Sequence, residues 1–129
     1  MELILEVHVH VKSSDYVEGH TLNVAMLPFD GTADGPYFTG KVIGSGVDTQ
    51  KIQKSGEMLL SARYMLEGTD YKNNPCRIFI ENSGNDMAHC TPMMVTNSPA
   101  LAEWETAKLT ACVKPGPEEV LIQVYRVDE

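Results

Sequence analysis

The sequence predicts an all-β fold, a small antiparallel β-barrel of about eight strands. Three observations carry this. Residues 2 to 12, ELILEVHVHVK, alternate in hydropathy with a period of two. Strand-like segments recur along the chain with Gly, Pro, Asn or Asp between them. No amphipathic helix longer than two turns is evident, and many short strands without helices make a sandwich or a closed barrel.

The elements follow in order. In 2–12, Leu3, Leu5, Val7, Val9 and Val11 share one side, and Glu2, Ile4, Glu6, His8, His10 and Lys12 the other. SSDYVEG (13–19) reads as a polar turn. TLNVAMLPF (21–29) is a strand cut by Pro28, and DGTADGP (30–36) reads as turn chemistry. YFTGKVI (37–43) is a strand, GSGVD a tight turn, and TQKIQKSG polar. EMLLSARYMLEG (57–68), CRIFIENSG (76–84) and TPMMVTN (91–97) are strands. EWETAKLTACV (103–113) fits helix or strand, and its Thr-rich centre before Lys-Pro-Gly-Pro favours strand. EEVLIQVYRV (118–127) closes the chain as a β-branched strand.

The 129 residues read as one domain, 1–129, long enough for a core without metal or disulfide staples. A net charge of -8 sets the chain against nucleic acid and against anionic membranes, so neither is expected as a partner. No basic-then-apolar leader opens the sequence and no apolar run reaches the roughly 18 residues of a span. Cys76, Cys90 and Cys112 are widely spaced, which suits free thiols in a cytoplasmic protein.

GPYFTGK (35–41) has the spacing of a phosphate-binding loop, but Val42 replaces the needed Ser or Thr, two aromatics fill the loop and a strand follows. A nucleotide site is excluded. His8 and His10, with Glu6, offer metal-ligand spacing on one strand face, yet a solvated face is the simpler reading, and no metal or cofactor is expected. Arg63, flanked by apolar residues, needs a partner if it faces inward, and Asp48 is the partner expected. Glu67 falls on the Arg63 side. Asn82 falls on the Ile78/Ile80 side, where it reaches a ligand or caps a turn. Cys90 beside His89 is no dyad, because neighbours on an extended chain point apart. Trp104 lines a pocket or fills the core.

The run Gly31 to Asp48, GTADGPYFTGKVIGSGVD, resembles the signature of the domain-of-unknown-function 3237 family. Ser61-Ala62-Arg63-Tyr64, Ile80-Glu81-Asn82-Ser83-Gly84 and Val124-Tyr125-Arg126-Val127 are similar to its later motifs, in the same order. The resemblance implies a calycin-like (lipocalin-like) barrel, often oligomeric, with no general activity. Ser61 stands where the family usually has Asp, and His89-Cys90-Thr91-Pro92 where it has Arg-Thr-x-Pro. Val95 replaces a Glu and Thr106 an Asn, while Trp104 is retained.

The leading expectation is therefore a barrel binding a small, partly apolar, possibly anionic molecule through Asp48, Arg63, Asn82, His89 and Trp104. One rival is an isomerase- or cyclase-type enzyme, with Arg63 as oxyanion partner and Asp48 or His89 as base. The other is an assembly barrel without a ligand, using Ile4, Tyr37 and Ile43 in a homo-oligomer interface.

Overall fold

A computed structural model describes residues 1–128. The strands are β1 (Glu2–Val11), β2 (Asp15–Glu18), β3 (Leu22–Asp34), β4 (Phe38–Gln53), β5 (Met58–Asp70), β6 (Pro75–Gly84), β7 (Thr91–Thr96), β8 (Leu109–Lys114) and β9 (Val120–Arg126), with a 3₁₀ helix at Pro99–Glu105. Eight of them run antiparallel in the order β7-β6-β5-β4-β3-β1-β9-β8, and β2 pairs with β3 outside that path. The two end strands meet where Cys90 and Ala111 exchange backbone hydrogen bonds, each 2.9 Å. The result is a nearly closed barrel, and the predicted fold class holds. No described helix is long and apolar enough to cross a membrane.

The strand period decides what is inside. Val7 and Val9 of β1, Leu60, Tyr64 and Leu66 of β5, Ile78 and Ile80 of β6, and Ile122 and Val124 of β9 are all buried in one core. The charged residues between them face water.

Four segments differ from the sequence reading. SSDYVEG contains β2, a short strand with every residue exposed, so it lacks the alternation that marks a half-buried strand. DGTADGP is mostly strand. Its first Asp-Gly pair stays in regular register with His10 and Val9 of β1, and β3 runs on to Asp34. GSGVD falls in a bulge of the 16-residue β4, which carries two extra residues against both β3 and β5, with Gly44 at φ +64°. The segment 103–113 divides, with the end of the 3₁₀ helix first and β8 after it. Ser98 caps that helix, its Oγ accepting from the Leu101 amide at 3.2 Å, and Pro99 supplies a pre-set φ.

The same bulging corrects Ile4. A register shift between Leu3 and Leu5 turns Ile4 into the core at 1% exposure, so it is not available to an interface. Tyr37 packs edge-on against Trp104, with ring centroids 6.1 Å apart. The helix carrying Leu101 and Trp104 plugs that end of the barrel. The opposite end stays open.

Candidate functional site: the open end of the barrel

At the open end lies a cavity of about 60 Å³, room for a few waters. Its wall is mostly apolar: Val9, Phe29, Leu60, Val113, Val120 and Ile122. Four polar side chains also line it, Asp48, Gln50, Asn82 and Cys90.

Cross-strand register explains how they meet. Asp48 of β4 sits opposite Ala62 of β5, and Ala62 sits opposite Asn82 of β6. The three form one inward row, with the smallest side chain in the middle. Two strand spacings put the outer Cα atoms about 10 Å apart. The small Ala62 leaves the space between carboxylate and amide open.

The polar groups are incompletely satisfied. Gln50 Nε2 donates to Asp48 Oδ2 at 3.0 Å. Burial pushes the Asp48 carboxyl above the usual range, and the Gln50 bond only partly opposes it. Asn82 is 4% exposed, yet its Oδ1 has no hydrogen-bond partner among the described residues. Buried oxygens in native proteins are normally paired, so this one calls for an account. The Cys90 thiol donates instead to the Asp86 carbonyl, at 3.2 Å. Burial, then the nearby Asp86 and Asp48 charges, raise that thiol, which leaves it a poor nucleophile. All three cysteines are free, as expected.

The five residues singled out from sequence do not assemble. Asp48 and Asn82 line the cavity. Arg63 does not: it is exposed on the outer wall, opposite Val47 and Glu81, while Tyr64 takes the inward position. The inward side chains of β5 are Leu60, Ala62, Tyr64 and Leu66, so Asp48 sits opposite Ala62 and the strand's alternation turns Arg63 outward. The expected Asp48–Arg63 pair is not made. His89 is exposed on the loop beside the cavity and bonds to Asp86, Nδ1 to Oδ1 at 3.2 Å. Trp104 is buried at the plugged end, where it borders a separate small cavity with Tyr37 and Leu101. Glu67 is also outside, in an ion pair with Arg77 at 2.9 Å.

Gln50, Leu60, Ala62 and Met87 of the cavity wall were not anticipated. Gln50 was hidden in a stretch read only as polar. The signal available was its spacing of two from Asp48.

A second polar cluster lies on the outer surface of β1. Glu6, His8 and Asp34 bring ligand-type atoms within 4.8 Å of one another, a set that can hold a divalent cation. His8 Nδ1 lies 2.7 Å from Glu119 and Nε2 lies 3.3 Å from Asp34. His10 joins the edge through Glu119, at 3.4 Å. These are mutual ion pairs on a solvated face.

Fold and site together define a small antiparallel β-barrel with one plugged end and one open, apolar, partly polar-lined end. The chain belongs to the DUF3237 family, proteins of unknown function, whose family model matches residues 1–88. No curated relative matches it. A protein of unknown function from Clostridium acetobutylicum has a similar structure, with TM-score 0.85, 23% identity and 98% of each chain covered. A beta-barrel like protein from Acinetobacter baumannii is similar at TM-score 0.78 and 15% identity, over 97% of this chain and 93% of its own. An enzyme from Penicillium herquei is similar at TM-score 0.74 and 14% identity, over 96% and 92%. At these identities the likeness shows the fold alone.

Proposed function

We propose that the open end of the barrel binds one small, largely apolar molecule. The observation that carries this is the orphaned Asn82 Oδ1, buried in an otherwise apolar wall beside a half-buried carboxylate. A protein without a ligand gains nothing from that arrangement, since an unpaired buried acceptor costs about 1–3 kcal/mol. A ligand's hydrogen-bond donor would offset it. Apolar walls with a few convergent polar groups are the usual make-up of a ligand pocket.

The test is Asn82→Leu, a near-isosteric change that removes the orphaned oxygen. Stability should rise by about 1 kcal/mol or more in chemical denaturation, while binding of small apolar fragments is lost. A variant that is less stable than wild type and still binds would overturn the reading.

The fold's likeness to an enzyme favours a second reading, in which the same cavity carries out acid–base chemistry. Asp48 is then the proton acceptor, because burial already holds its carboxyl above the ordinary range. Arg63 has no part in it, being on the outer wall. On that reading Asp48→Asn removes turnover as well as binding.

A further inference from the structure

The charged inventory of the cavity is one-sided. Asp48 Oδ2 accepts one hydrogen bond, from Gln50, and a carboxylate has about four acceptor sites. Asn82 Oδ1 accepts none. No Lys, Arg or His is among the residues lining the cavity. An anionic ligand would meet a carboxylate and a bare amide oxygen in low-dielectric surroundings, with no cation to receive it. The sequence-based expectation of an anionic ligand rested on Arg63, which faces away.

Building on the binding reading above, we infer that the ligand is an organic cation, a primary ammonium group on a short apolar body. An ammonium has three donors and no acceptor. It can serve both Asp48 and Asn82 while neutralising the carboxylate, and it is more compact than a guanidinium or amidinium. The row Asp48–Ala62–Asn82 supplies the geometry. Its ends stand about 10 Å apart at Cα, and each side chain reaches inward over Ala62. A nitrogen lying between them, within about 3 Å of each oxygen, fills the gap that Ala62 leaves. The apolar body would then lie against Val9, Leu60, Val120 and Ile122. The net charge of -8 raises the local concentration of cations in the same sense.

The experiment compares three probes of equal length, n-butylammonium, 1-butanol and butyrate, by calorimetric or NMR titration. Wild type, Asp48→Asn and Ala62→Leu are measured side by side. Butylammonium should bind wild type at least 10-fold more tightly than butanol, and butyrate should not bind. Asp48→Asn should reduce that preference to near unity. Ala62→Leu, which leaves both polar groups in the chain, should abolish binding of all three by filling the space between them. If butanol or butyrate binds as well as butylammonium, with Ala62→Leu still abolishing binding, the cation assignment falls and the pocket reading stands. If no probe binds wild type, or Ala62→Leu binds as wild type does, both fall.

Discussion

Two aspartates with opposite surroundings give the residue-scale account its sharpest test. Asp70 accepts from Ser98 Oγ at 2.7 Å and from the Lys72 and Asn74 amides at 2.9 and 3.1 Å. The Ser98 hydroxyl first, with the two amides, holds its carboxyl below the usual value of 3.8. Its contribution is thus present above that unfolded value and is lost as pH falls through the lower folded one. Asp48 runs the other way. Its folded value is raised by burial, so its contribution is full below 3.8 and is lost as pH rises through the folded value. Asp70→Asn should therefore be destabilising at neutral pH, with the difference shrinking in acid. Asp48→Asn should gain stability relative to wild type as pH rises from about 4 to 7. Urea denaturation across that range checks both, and parallel curves for the two variants would contradict the assignment.

At the scale of the elements, the bulge in β4 shapes what lies beneath the open end. Gly46 lies opposite Phe29, and a Cβ there would come within 2.5 Å of the Phe29 ring and 2.9 Å of Tyr64 Cβ. Only glycine lets Phe29 and Tyr64 pack edge to face, with ring centroids 5.5 Å apart, beneath the cavity. Gly46→Val should cost about 1–3 kcal/mol through overpacking. Unfolding at the wild-type denaturant concentration would show that the packing is looser than described. These segments also mark where the sequence was hard to read. Asp-Gly and Gly-Ser-Gly are turn signals by residue type, yet inside long strands the first stays extended and the second bulges. The alternating runs of β1, β5, β6 and β9 were legible because one face is buried. β2 was not, because neither of its faces is. Asn82 was legible as a polar residue in a strand, whereas Asp48 stood in a segment that reads as a turn. Arg63 was misplaced by one residue, since period two gives the two faces of a strand without saying which is inside.

The whole molecule divides its ends between two tasks. One end is sealed by the 3₁₀ helix, with Leu101 and Trp104 buried beneath it and Ser98 tied to Asp70. That end carries the closing contacts of the core. The other keeps a cavity, an orphaned amide oxygen and a half-buried carboxylate, features that reduce stability unless something fills them. Barrels of this size hold side chains or one small ligand; here the sealed end does the first, and the second is the role proposed for the open end. The most direct test is an NMR titration of the labelled protein with a library of small fragments, following the Asn82 and Gln50 side-chain amides and the Met87 methyl. The account predicts saturable shifts confined first to these groups, and none in Ala62→Leu. Fragments that leave all three signals unmoved, or that shift only residues on the outer wall around Arg63, would contradict it.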